Sequence, residues 1–394
     1  MMTIVGVILS LLAAPALFAC GYLLVLTLLS GRLKAPKPKA RTINFDVIVP
    51  AHNESDLIAR TVASLRKIDW PAAHFRIVVV ADNCTDETAQ LARNAGAHVL
   101  ERHDTSKRGK GYALDHAFNA SRLDGFAAAV VVIDADAEVS PNLLEAFAAR
   151  LEQGEHAVQA HYGVLNPFAS WRTRLITIAK AAFHIVRSRA RERLGVSCGI
   201  RGNGWCVTHE LLEKVPYRAF SLTEDVEYGI DLGRAGYRVA YADEAHSDAE
   251  MVSNEQVASR QRQRWESGRF ELIRSRTWPL LRAAVLQRSR VCLDLALDLL
   301  VLPLSYVALN VAALVVAAAF ASLWYPQMSA WLWIALACVM SLSIHVLRGW
   351  QLSGIGLRGI VDLARAPGFL LWKVLLMLKP QRSSEWVRTD REKP

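Results

Sequence analysis

Four short stretches of the chain carry residue types that could do chemistry together. Asp134 and Asp136 flank one alanine directly after the apolar run at 127–133, AAAVVVI. A carboxylate pair so spaced can hold Mg2+ or Mn2+ through oxygen while phosphates fill the remaining positions; an ordinary loop can carry the same two acids. Lys107, Arg108 and Lys110 are interleaved with Gly109 and Gly111, which makes either a flexible phosphate-holding loop or a solvated turn. Thr223-Glu224-Asp225 has the pattern of an N-cap followed by two acids in the first helical turn. Acids there stabilise a helix by under about 1 kcal/mol; the chemical reading is that the positive helix end keeps one carboxylate ionised and ready to accept a proton. The last stretch, 260–265, reads RQRQRW. On a helix Gln261, Arg264 and Trp265 stand at i, i+3 and i+4 and share a face. That face offers a planar fork for phosphate beside a flat apolar ring for a sugar. Arg260, Arg262 and Glu266 fall off it, toward solvent or lipid.

These stretches must be brought together by the region 43–274, where short apolar runs alternate with helical patterns. Runs at 45–49, 75–81 and 127–133 read as strands. The last two are apolar throughout but for Arg76, as expected of parallel strands covered by helices on both faces. Helical patterns fall at 54–67, 86–94 and 111–122. Thr85 reads as the N-cap of the second, with Asp86 and Glu87 in its first turn and Gly96 just past its end. This alternation specifies a doubly wound α/β domain, in which ligands bind at the C-terminal ends of the strands. Those ends carry His52-Asn53-Glu54, Asp82-Asn83 and Asp134-Ala135-Asp136. No Gly-x-Gly-x-x-Gly follows the first strand and no Walker-type loop occurs, which argues against a nicotinamide enzyme and against an ATPase.

The chain is 52% hydrophobic with a net charge of +9, and both are unevenly spread. Residues 4–30 contain no charged side chain, and about twenty apolar residues suffice to span a bilayer. A secretory signal would have a basic start and a shorter apolar core, so the segment reads as a retained membrane helix; Phe18 fits poorly in a lipoprotein cleavage site ending at Cys20. Two further spans are expected at 299–324 and 330–347. The first is not extended back to Val291, because a mid-membrane Asp costs about 3 kcal/mol whereas a Leu returns about 0.5. Asp294 and Asp298 are thereby left at the interface, and Trp324, Tyr325, Trp331 and Trp333 form an aromatic belt. Basic residues fill 32–41, precede the second span at Arg282, Arg288 and Arg290, and follow the third at Arg348. The positive-inside rule then places the N-terminus outside and the middle and C-terminus inside.

The expected organisation is a membrane helix at 1–31, a basic linker at 32–43, a cytoplasmic catalytic domain at 44–275 and an interfacial segment at 276–298. The two later spans follow, and an amphipathic membrane-surface helix and tail occupies 352–394, a short fourth span being the alternative for 354–379. The whole is expected in the plasma (inner) membrane. Topology accounts for part of the positive charge, and no nucleic-acid partner is expected. The six cysteines show no Cys-x-x-Cys spacing and mostly face a reducing compartment, so neither disulfides nor zinc are expected. A transporter would need more polar groups within the spans than Asn310 and His345.

With the motifs in this order, residues 44–270 resemble the inverting family 2 glycosyltransferases, in particular the membrane-bound branch of cellulose, chitin and hyaluronan synthases. The resemblance rests on Asp82, Asp134-Ala135-Asp136, Thr223-Glu224-Asp225 and Gln261-Arg262-Gln263-Arg264-Trp265. It implies a Rossmann-like GT-A fold with flanking transmembrane helices, a UDP-sugar donor, and Mg2+ or Mn2+ as cofactor. It gives uracil to Asp82, the metal to Asp134 and Asp136, and proton abstraction to Asp225 with Glu224 beside it. The expected donor-binding set is Asn53, Glu54, Asp82, Lys110, Asp134 and Arg264; Gln261 and Trp265 are expected at the acceptor. The implied reaction is one in-line displacement with inversion, giving a β-linkage on a polysaccharide or glycan acceptor. Transfer of one sugar to a membrane lipid such as polyprenyl phosphate, a sphingolipid or diacylglycerol is the alternative; a non-catalytic synthase-like subunit is a minor one. Membrane lipids and subunits of polysaccharide synthesis or export are further expected partners. Two features depart from the branch: Asp82-Asn83-Cys84 replaces the usual acid pair followed by Gly or Ser, and three spans are fewer than polymer-secreting synthases use.

Overall fold

The computed structural model describes the backbone of residues 2–251, 255–365 and 368, and the side chains of 3–251, 265–365 and 368. Within these residues the chain divides into two compact units. One comprises Arg32–Pro167 and Arg191–Ala296; the other comprises Phe168–Ala190 with the chain up to Gly31 and from Leu297 onward.

The first unit is built on an eight-stranded sheet: β1 Phe45–Ala51, β2 Phe75–Asp82, β3 His98–Arg102, β4 Ala129–Val132, β5 Ala137–Val139, β6 Ala157–Val164, β7 Trp205–Thr208 and β8 Ala240–Ala249. Their order is β3-β2-β1-β4-β7-β6-β8-β5. The first four run parallel, β7 is antiparallel to both of its neighbours, β8 is parallel to β6, and β5 is antiparallel to β8. The apolar runs at 45–49, 75–81 and 127–133 correspond to β1, β2 and β4. Val47, Ile48 and Val49 are all fully buried, as a strand covered on both faces requires. β1 runs on through Pro50, beyond its expected end. Its pairing with β4 has stopped at Ile48, so the missing proline N–H costs no ladder bond on that side.

Helix Lys110–Asp124, the expected 111–122 element, is ended by Gly125 in the left-handed conformation, the usual helix stop. It packs Phe118 edge-on against Trp205 and Tyr217, and Tyr217 in turn meets Tyr228 of helix Glu224–Arg234. At its start, a Cβ on Gly111 would lie 2.2 Å from the Ala219 carbonyl oxygen, so only glycine allows the segment leading to Glu224 to approach this closely. The two other expected helices begin later than read, at Ile58 and Thr88. Thr85 does not cap the second of them. The Asp86 carboxylate accepts from the Thr88 N–H and hydroxyl, while Thr85 bonds Asn53.

The second unit contains three helices long and apolar enough to cross a membrane: Met2–Leu28, Leu304–Trp324 and Ser329–Ser353. Their contacts use small residues such as Ala13, Ala16, Ala318 and Ala335, which let helices approach closely. Asn310 donates to the Leu12 carbonyl at 3.1 Å, Ser341 to the Cys20 carbonyl at 2.7 Å, and Thr27 meets His345 at 2.8 Å. These three contacts join one helix to another. The middle helix starts behind Pro303 and not at Leu299. Asp298, expected at the interface, is buried against Arg187 at 3.0 Å; in the other unit Asp294 meets the buried Arg191 at 2.6 Å. A short helix, Leu357–Leu363, follows the third span; most of the tail expected on the membrane surface lies outside the described residues.

Candidate active site

Two loops close the C-terminal ends of β1 and β2. Asn53 and Asn83 both adopt positive φ, 54° and 51°, a conformation Asn tolerates better than most residues. The Asn53 side-chain Oδ1 accepts from the Thr85 N–H at 2.7 Å, and the Glu54 N–H donates to the Thr88 hydroxyl at 2.8 Å. Asn53 therefore staples the two loops to each other. Asp82 is buried at the end of β2, where its carboxylate accepts from Arg102 at 2.6 Å and from Asn83 at 3.1 Å. Arg102 stands opposite Asp82 in the β2–β3 register. The sequence reading had no strand there and missed it; the Val99-Leu100 pair inside HVLER was the available signal.

Lys110 is not the solvated side chain that one reading of its loop expects. Its ammonium donates to Asp134 Oδ1 at 2.5 Å and to the Gly202 carbonyl at 2.6 Å, and lies 3.9 Å from Glu224 Oε1. The ammonium thus links the acid at the end of β4 to the acid at the start of helix Glu224–Arg234. Lys107 and Arg108, by contrast, are exposed. Burial works against the Lys110 charge, but Asp134, Glu224 and Asp225 outweigh it and raise its pKa.

Glu224 and Asp225 occupy the first turn of their helix, as expected, and Thr223 holds the N-cap position. The Thr223 hydroxyl nevertheless makes no capping bond and finds no hydrogen-bond partner among the described residues. A Cβ on Gly202, whose φ is +85°, would lie 3.2 Å from Asp225 Oδ2. The loop that receives Lys110 therefore also borders Asp225. Burial pushes the Glu224 carboxyl up to about 7, opposed by Lys110 and reinforced by Asp225. Burial raises Asp225 as well, opposed by the Val226 N–H at the helix start, Lys110 and Arg201.

Asp134 and Asp136 supply oxygen donors of the kind Mg2+ and Mn2+ take, and the ammonium at Asp134 marks a position that favours positive charge. Among the described residues no three His, Cys, Asp or Glu side chains converge as a metal site, so these two aspartates would depend on further oxygens from a diphosphate. β5 begins immediately after Asp136 and pairs with β8, bringing Glu138 opposite Asp248. On the other side of β8, His161 stands opposite His246, and His246 Nδ1 is 2.8 Å from Asp248. Sequence reasoning missed this row, because the β8 segment AYADEAHSDA has no apolar run to announce a strand.

The RQRQRW stretch lies in helix Glu255–Leu286. The side chains of Gln261 and Arg264 fall outside the described residues, while Trp265 is 41% exposed. Arg276 of the same helix ties it to helix Glu224–Arg234 through Glu227 at 2.7 Å and Asp231 at 3.4 Å.

A mixed sheet of this order, with acids and amides at the ends of its parallel strands, is the GT-A arrangement of nucleotide-diphospho-sugar transferases. Residues 43–268, well over half the chain, match the family described as "Glycosyltransferase like family 2", and the chain belongs to that family. It is 25% identical over 233 residues to the probable glycosyltransferase YdaM of Bacillus subtilis, covering 56% of this chain and 54% of that protein. Over 233 residues it is also 25% identical to the beta-monoglucosyldiacylglycerol synthase of Nostoc sp., covering 57% and 48% respectively. The chain thus spans about half the length of these curated relatives. Among solved structures, the mannosyltransferase PcManGT of Pyrobaculum calidifontis, in complex with GDP-Man and Mn2+, superposes with a TM-score of 0.53 at 20% identity, covering 88% of this chain and 99% of that one. At that identity the likeness is one of fold.

Proposed function

We propose that the chain is a membrane hexosyltransferase that moves one sugar from a UDP-sugar to an acceptor at the bilayer, with inversion. The observation that carries this is Lys110, whose ammonium lies within 4 Å of both Asp134 and Glu224. It joins a nucleotide-side carboxylate to an acid pair able to take a proton. In this reading Asp82 faces the uracil, and Asp134 and Asp136 would hold Mg2+ or Mn2+, which when bound neutralises charge on the departing diphosphate. Asp225 takes the proton of the acceptor hydroxyl as the acceptor oxygen bonds to the anomeric carbon; the bond from that carbon to the diphosphate breaks, and UDP leaves. Glu224, held near neutrality by burial, tunes the charge beside it. Arg264 contributes a fork for the diphosphate, and Trp265 with Gln261 an acceptor platform.

Relatives named for monoglucosyldiacylglycerol synthesis favour a lipid acceptor, with sugar added once. The Gln261 to Trp265 motif supports the second reading, a polymerising enzyme akin to cellulose, chitin and hyaluronan synthases. Protein purified in detergent, screened against a panel of radiolabelled UDP-sugars, is expected to release UDP with Mg2+ or Mn2+ and to stop in excess chelator. Label that partitions into organic solvent supports the lipid acceptor; alcohol-insoluble label supports the polymer. Full transfer in excess chelator overturns the metal assignment, and no UDP release from any donor overturns the transferase reading.

We further propose that the 44–275 region is cytoplasmic and the N-terminus outside; within that region Phe168–Ala190 groups with the apolar helices. The basic residues at 32–41 and around Arg282, Arg288 and Arg348 support it. Single cysteines introduced on the exposed surface of that region are expected to resist a membrane-impermeant thiol reagent applied to intact cells. Efficient labelling would reverse the orientation.

A further inference from the structure

The segment between helix Arg187–Arg193 and β7 brings one polar side chain fully into the interior: Asn203, with no exposed surface. Its Oδ1 accepts from the Asp134 backbone N–H at 3.0 Å and from the Ser247 hydroxyl at 3.0 Å. The orientation of the amide follows, since an N–H can be met only by the oxygen. Its Nδ2 then has no acceptor among the described residues, an arrangement that buried amides normally avoid. The backbone around it is equally restrained. Gln159, also buried, donates to the carbonyls of Asn203 at 2.7 Å and Gly204 at 3.1 Å and accepts from the Arg201 N–H at 2.8 Å. The adjacent Gly202 carbonyl receives Lys110.

We infer that Asn203 is a positioning residue for donor binding: by holding the Asp134 peptide it sets the direction of the Asp134 carboxylate toward the nucleotide diphosphate. The inference rests on the transferase reading above. A buried amide is retained at the expense of an unmet donor because an apolar residue of the same size would leave the Asp134 N–H without an acceptor. The acid would then be free to turn away with its peptide. Groups that orient a metal-ligating carboxylate from behind typically change metal affinity or activity by about 10- to 100-fold when removed, and UDP bound with Mn2+ reports that loss.

The test uses the full chain in detergent, with UDP titrated calorimetrically in the presence of Mn2+ and thermal melting recorded without either. Asn203→Leu is expected to weaken UDP binding at least about 10-fold, while Ser247→Ala, which removes only the second bond to the same oxygen, stays within two-fold of the parent. Equal losses in both variants would make Asn203 a packing residue between the loop and β8 and overturn the inference. So would parent-like binding by Asn203→Leu. If Asn203→Leu does not fold, Asn203→Ser replaces it with the same expected loss, because a serine oxygen is too short to reach the Asp134 N–H. A parent that binds no UDP overturns the transferase reading and this inference with it, whereas a binding parent matched by the Asn203 variant overturns this inference alone.

Discussion

Asp225→Asn is expected to leave UDP affinity close to the parent's and to lower turnover by about 10²- to 10⁴-fold, the usual loss when a positioned base is removed. The amide has the size and reach of the carboxylate. It also keeps its place in the first turn of helix Glu224–Arg234. The lost interaction with the helix end is worth under about 1 kcal/mol. Burial has moreover raised the carboxyl above its usual range, so a neutral side chain sheds part of a cost the ionised acid carries. Folding and donor binding should therefore survive while proton removal does not. Side-by-side measurement of UDP affinity and turnover decides the matter: turnover within a few-fold of the parent would reduce Thr223-Glu224-Asp225 to a helix start.

The parts of this architecture that were legible in the sequence are those whose signal is local. β1, β2 and β4 announce themselves as apolar runs because both of their faces are covered, and the acids that follow them fall where a doubly wound sheet places ligands. The 223–225 stretch marked a helix start from side-chain chemistry alone, although the Thr223 hydroxyl does not do what its position promised. Strands with one polar row escaped notice: β8 places His246 and Asp248 on a ladder with His161 and Gly163, a relation created by pairing and not by spacing. The same holds for Arg102 against Asp82, for Arg191 against Asp294, and for Asn203 against Asp134, where partners 20 to 103 residues apart in sequence meet. Lys110 is the instructive case. Its glycine-flanked setting suits a turn as well as a ligand, and only its approach to residues 24 and 92 positions away takes the side chain out of a solvated turn.

That choice has a measurable consequence. Lys110→Met is expected to destabilise the free protein by roughly 3 kcal/mol, near the low end for removing one partner of a buried charge pair, because Lys110 and Asp134 keep about a quarter of their side-chain surface exposed, 26% and 25%. The size of the loss should depend on pH, and the direction follows from Glu224. Its folded pKa of about 7 lies above the ordinary 4.5. Its contribution to stability is therefore complete below about 4.5 and is lost as pH rises through 7. Lys110 opposes that rise, so the methionine variant raises the carboxyl further and extends the loss to higher pH. At pH 5 Glu224 is protonated in the folded state of either protein, and the variant lacks chiefly the partner of Asp134. At pH 8 it must also leave an ionised or reluctantly protonated Glu224 beside Asp225 without the cation that held them. Melting temperatures of parent and variant, recorded at pH 5 and pH 8 in the absence of nucleotide and metal, are expected to differ more at pH 8. A difference that is absent at both values would return Lys110 to the solvated turn that its sequence neighbourhood equally allowed, and one that is equal at both would leave it paired with Asp134 but uncoupled from Glu224.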